Sequence, residues 1–371
     1  MTTPEYSVVQ YDGRHRDALL DFRAAHYGAG SARTIPAYVD WLYSDAYQSQ
    51  PDRPALFICL SGERIVGAQG MLHVGLQAGA ERLDAAWVVE FAVRQELQRR
   101  SGIGSSIGLA SRQQTKVRLA LDVTKAAVGV ALRLGWQHVC DLPLWVRPLQ
   151  VRKALQARSR WLAASGLGAL GQTGLDALLD RGLRIARRRR LELIPTGGFD
   201  DRADALWSSV SPDYTVICRR DCAYLQWRFD RFPGAGNYSR FWMTDAGGVV
   251  GFVVLRFGEH KGQPSAFIID YLCRPNIASS LMALALDVCR AAGAVLMYCT
   301  TLHPSANAAF LPLGCLRRRS GWPFMIYANE VPAHTARLMS KPSNWFLTAG
   351  DSNLDHLRAL PQSTPTAGAP A

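Results

Sequence analysis

The chain has 371 residues, 48% of them apolar and 19% charged, and carries a net charge of +12. That is enough for a sizeable core and for two domains of about 150 residues each, and it excludes a chain disordered throughout. Half of the excess charge falls in residues 151–200, where ten Lys or Arg meet four acids. The basicity is therefore a local feature, and no nucleic-acid partner is expected, because coating a nucleic acid needs basic residues spread over a face.

The eight cysteines form no CxxC pair and do not cluster with the histidines. They read as buried free thiols in a reducing compartment, with no metal site. The first residues lack a basic segment followed by an apolar one, so no signal peptide is expected. With no apolar run near the ~20 residues of a spanning helix, the expected location is cytoplasmic.

In chain order, residues 6–11 read as a short strand and 14–27 and 35–44 as helices. Residues 55–60, 65–76 and 82–93 read as three strands joined by glycine-containing turns, an antiparallel meander. A polar stretch leads to a helix opened by glycines at Gly102 and Gly104. Residues 117–123 read as a strand, 125–134 as a helix, and 136–142 and 143–147 as two short strands. Strand and helix periods alternate, so the class is α/β, or α+β.

Residues 151–200 read as a basic helical linker, ending in the run Arg187 to Arg190. That run predicts a solvated helix face, with weak contact to an anionic membrane surface as a further expectation. From about residue 201 the element order of the first half repeats with little sequence identity, which predicts a repeat at domain scale. The expected units are residues 1–150, the linker 151–200, a second unit over 201–335, and a C-terminal extension over 336–371 ending in a disordered tail.

The clearest chemical signal is Arg99-Arg100-Ser101-Gly102-Ile103-Gly104, with Ser105 after it. A helix start offers unpaired N–H groups and the positive end of a dipole, and so makes an anion site. Glycines let a phosphate approach the backbone, and the serines and arginines add donors and charge. A Walker loop is excluded because no Gly-Lys-Ser/Thr follows. A dinucleotide loop fits poorly, because residue 107 is Ile and eight residues separate Val93 from Gly102. The pattern R-x-x-G-x-G fits letter for letter.

On the strand order, this loop and the segment 124–136 (TKAAVGVALRLGW), residues 1–150 resemble the GCN5-related N-acetyltransferases. The second half resembles tandem versions of that fold found near polysaccharide and envelope biosynthesis, on residues 219–233, 268–272 and 344–355. The resemblance implies two tandem domains, each a mixed, mostly antiparallel sheet flanked by helices. It implies acetyl-CoA or another acyl-CoA as co-substrate, held by Arg99 to Ser105, by the strand backbone at Phe91, Ala92 and Val93, and by Thr124. Thr124 stands where Asn is common in the family, and Ala131 stands where a Tyr often acts as general acid. The second half lacks the glycine loop, so only the first is expected to bind the cofactor.

Direct attack by an amine needs a proton acceptor, since most amines are protonated near neutrality. Glu90, a carboxylate within an apolar strand, is the first candidate, and Asp122 is the second. Tyr224, Trp227 and Arg228, with Asp270, are expected to face the acceptor, since aromatic rings with an Arg suit a sugar or a carboxylate. The expected reaction is transfer of an acyl group to a primary amine, on a small molecule or a sugar or cell-envelope precursor. Two other readings stay open: a FemABX-like aminoacyltransferase, and a non-catalytic acyl-CoA-binding sensor or scaffold.

Overall fold

The computed structural model describes residues 6–48, 50, 53–98, 102–156 and 167–356. The first half runs β1 (Ser7–Gln10), α1 (Arg16–Tyr27), α2 (Pro36–Tyr43), β2 (Leu56–Ser61), β3 (Arg64–Ala78), β4 (Glu81–Val93), α3 (Ile103–Arg112), β5 (Val117–Leu121), α4 (Lys125–Arg133) and β6 (Gln137–Pro148). This is the order read from the sequence, with one strand, β6, in place of the two short ones at its end. The strands β2, β3 and β4 pair as an antiparallel meander, and β4 then pairs with β5 in parallel. The 15-residue β3 is buried almost throughout. It carries no apolar-polar alternation because both of its faces are covered.

The second half departs from the expectation at its start. After α5 (Val151–Gln156) comes a 22-residue helix, α6 (Leu167–Arg188). Leu179, Leu183 and Ala186 are buried along one stripe of it. At Gly182 a Cβ would stand 2.9 Å from the Cβ of Ala283, so α6 lies tight against the second half. Much of the expected linker is thus a docked helix, although its glycines read locally as a breaker. Arg187 to Arg190 are exposed at its end.

Then follow β7 (Glu192–Thr196), α7 (Arg202–Val210), β8 (Val216–Cys218), α8 (Cys222–Leu225), β9 (Tyr238–Asp245), β10 (Gly248–His260), β11 (Gln263–Cys273), α9 (Ala278–Ala291), β12 (Leu296–Leu302), α10 (Ala306–Phe310), β13 (Leu316–Ala328), α11 (Ala333–Met339) and β14 (Trp345–Thr348). Apart from β8, the elements from β7 to β13 repeat the order of those from β1 to β6. The second repeat therefore begins at Glu192 and not near residue 201.

The two repeats are interleaved. The sheet order is β1-β2-β3-β4-β5-β13-β6-β12-β11-β10-β9-β7. The last strand of each repeat sits inside the other: β13 pairs with β5 and β6, and β6 pairs with β13 and β12. Strand β6 runs unbroken through Pro143, where two short strands were expected. The register slips opposite it, between Arg319 and Pro323, so the missing N–H of Pro143 falls where the ladder is already interrupted.

The C-terminal extension is structural as well. Strand β14 pairs with β12 and β8, and β8 pairs with β3. The pairings β3-β4-β5-β13-β6-β12-β14-β8-β3 therefore close a ring of eight strands. All eight cysteines are free thiols, seven of them buried and Cys140 half-buried. No helix among the described residues is long and apolar enough to cross a membrane.

Candidate functional site

The site begins with a fault in β4. Ala92 stands opposite Ala68 and Val89 opposite Gly70, so Glu90 and Phe91 together face the single residue Gln69. This is a β-bulge, and within it Glu90 takes a left-handed φ of +50°. Pairing of β4 with β5 covers only Ala85 to Trp87. Beyond Trp87 the two parallel strands are no longer paired with each other, and a wedge opens between them.

The bulge sends its two side chains to different neighbours. The ring of Phe91 reaches α3 and is 48% exposed, and a Cβ at Gly104 would meet its Cζ at 3.0 Å. Gly104 thus lets the helix start come close to the wedge. Gly102 precedes it at φ +69° as the residue from which α3 starts. Ser105 is exposed, and Ile103 is buried with Ile107 against β2, β3 and β4. Arg99, Arg100 and Ser101 lie outside the described residues. Ala92 and Val93 are buried on β4, continuing the wedge wall.

Glu90 points into a polar cage built by α1 and α2. Arg23 Nη2 donates to its Oε2 at 2.5 Å, and the hydroxyls of Tyr43 and Tyr38 donate at 3.0 and 3.1 Å. Arg33 Nε lies 3.6 Å from Oε1. The side chains of Glu90 and Arg23 are 1% and 3% exposed. Burial, then the charge of Glu90, raises both tyrosines well above their ordinary pKa. Burial also opposes the charge of Arg23, but Glu90, Tyr43 and Tyr38 outweigh it and hold Arg23 above its ordinary value.

This cage was not foreseen from the sequence. One signal was present: Arg23 falls in the apolar stripe of α1 with Leu19 and Phe22, where a charge requires a buried partner. At the far end of the wedge, Asp122 is exposed just beyond β5 at φ +56°. Thr124 caps α4, its Oγ1 accepting from Ala127 N at 3.3 Å. Thr and Asn both cap helices, so this departure from the family pattern has a local reason.

The residues expected to face the acceptor are elsewhere. Trp227 stacks on Trp41 at 4.8 Å and 6°, and its carbonyl accepts from Trp41 Nε1. Tyr224 and Arg228 are buried and donate to the carbonyl of Gly350 at 3.2 and 3.1 Å. Asp270 is buried and accepts from Arg220 and Thr348. The expectation fails because these side chains point inward, where Tyr224 and Arg228 hold the C-terminal segment and Trp227 packs on α2.

That segment explains the second repeat. Its own β11 and β12 pair only over Ser265–Ile268 with Leu296–Cys299, and the register then slips near Asp270 as it does at Glu90. The opening is filled from within. Gly350 N donates to Ile269 O at 2.7 Å, and Thr348 of β14 pairs with Thr301 of β12. Arg220 fixes Asp351 at 2.6 Å, and Arg256 fixes Asp355 at 2.9 Å.

The fold, with its meander, bulged β4 and splayed parallel pair, is similar to that of solved GCN5-related N-acetyltransferases. Among solved structures, the chain is similar to a GCN5-related N-acetyltransferase from Anabaena variabilis, with TM-score 0.60 and 11% identity over 87% of this chain and 73% of that one. It is similar to another from Kribbella flavida, with TM-score 0.57 and 15% identity over 87% and 71%. It is also similar to the Saccharomyces cerevisiae N-myristoyltransferase with bound myristoyl-CoA, with TM-score 0.53 and 10% identity over 88% and 80%. These likenesses extend over both repeats and concern the fold. No family model matches the sequence, and no curated protein matches it.

Proposed function

We propose that the chain is an acyltransferase that binds acyl-CoA in the wedge of its first repeat and passes the acyl group to an amine. The observation that carries this reading is the contrast between the two wedges. The second is filled by residues 345–356 of the chain itself. The first has the glycine-opened start of α3 at its edge and no such filling among the described residues.

In this reading Arg99 to Ser105 and the first turn of α3 take the pyrophosphate. The β4 backbone at Phe91 to Val93 holds the pantetheine arm, and an N–H there polarises the thioester carbonyl. The amine nitrogen attacks the carbonyl carbon, the C–S bond breaks, and the thiolate leaves. Glu90 has both oxygens committed to Arg23 and the tyrosines, so it serves to position the bulge. Asp122, exposed at the end of β5, accepts the proton that the amine loses. The likeness to N-acetyltransferases and to an N-myristoyltransferase supports the acyl-CoA class as a whole.

The test is a thermal shift with acetyl-CoA followed by thiol release with a panel of primary amines. A shift of several degrees and steady thiol release are expected. Asp122→Asn should cut kcat by about a hundredfold while the KM for acetyl-CoA holds. A shift without release from any amine would support a non-catalytic acyl-CoA binder instead. No shift at all would end both readings.

A further inference from the structure

Beside the β4 bulge stands a guanidinium that the Glu90 cage does not require. Arg23 already supplies a buried counter-ion to Glu90, and two tyrosine hydroxyls fill its remaining sites. Arg33 adds a second positive charge 3.6 Å away, with its side chain 33% exposed. Its buried Nε makes an ion pair but no hydrogen bond. One carboxylate thus faces two guanidinia.

The surplus charge is held in place. The Arg33 guanidinium lies over the ring of Tyr27 at 4.7 Å. Its backbone is fixed at both ends, with Arg33 N donating to Ser31 Oγ and its carbonyl accepting from Arg23 Nε at 2.6 Å. A guanidinium anchored on an aromatic face with its outer edge exposed is pre-organised to bind an oxyanion. The positive charge is felt next door: burial, then the charges of Arg33 and Arg94, lower the pKa of His26.

We infer that Arg33, seated on Tyr27, reads an anionic group on the acceptor, so that the natural substrate is an amine bearing a carboxylate or phosphate. The inference rests on the acyl-transfer reading and names its substrate class. A protonated amine alone is repelled here; one that brings its own oxyanion is drawn in and oriented with its nitrogen toward the β4 bulge. Arg33 is a specificity-determining residue, and it takes no part in bond making.

The experiment compares matched acceptors in the acetyl-CoA-loaded protein: L-alanine against L-alaninamide, and phosphoethanolamine against ethanolamine. The expected result is a kcat/KM about ten- to hundredfold higher for the charged member of at least one pair. The first pair reports a carboxylate and the second a phosphate. Arg33→Ala should remove the preference through the KM of the charged acceptor, leaving the KM for acetyl-CoA unchanged. Arg33→Lys should restore part of it. Equal kcat/KM within both pairs, no turnover of either charged member with acetyl-CoA bound, or a preference that survives Arg33→Ala would overturn the inference alone. Failure to bind acetyl-CoA would overturn the acyl-transfer reading beneath it.

Discussion

At the residue scale, Glu90 shows how a carboxylate chosen on sequence grounds can have the right place and a different job. Its position in an apolar strand marked it, and the structure puts it at the bulge that opens the wedge. What the sequence hid was its company. Tyr43, Tyr38 and Arg23 lie 47, 52 and 67 positions away, and no local pattern joins them to it. A non-glycine residue at φ +50° is strained, and the cage holds it there. Glu90→Gln should leave Arg23 buried without its counter-ion and cost about 3 kcal/mol of stability, read by urea unfolding. A loss below about 1 kcal/mol, with kcat falling selectively at low pH, would return Glu90 to the role of base.

At the element scale, the legible parts were those whose signal is local. The glycines that open α3 and the meander before it both depend on neighbours within one turn or one hairpin. The roles of helix 222–230 and of the stretch after 336 were not legible, for the opposite reason. Their apolar and charged side chains could serve a site or a core, and only the tertiary structure chooses. They form a plug: Gly350 passes so close to β11 that a Cβ on it would sit 2.7 Å from the Asp270 Cβ. Gly350→Val should therefore cost about 2 to 3 kcal/mol by overpacking, while acetyl-CoA affinity changes less than twofold. Loss of acetyl-CoA binding in a variant that still unfolds cooperatively would show that the second wedge matters to the cofactor.

At the scale of the whole molecule, the two repeats are legible as element orders but not as domains. Each lends its last strand to the other, so β5 and β6 of the first repeat are joined by β13 of the second. Pairing of strands so distant in sequence leaves no periodicity to read. Residues 1–150 by themselves would lack the strand between β5 and β6. The interleaving also puts two similar wedges in one molecule with unequal fates, one closed by the chain's own end and one left with a helix start at its edge. That asymmetry is the centre of the account, and stoichiometry measures it directly. Isothermal titration with acetyl-CoA should give one site per chain, with affinity reduced at least tenfold by Gly104→Val, whose added side chain crowds Phe91 and the approach to the first turn of α3. Two sites per chain, no binding, or one site indifferent to Gly104→Val would contradict it.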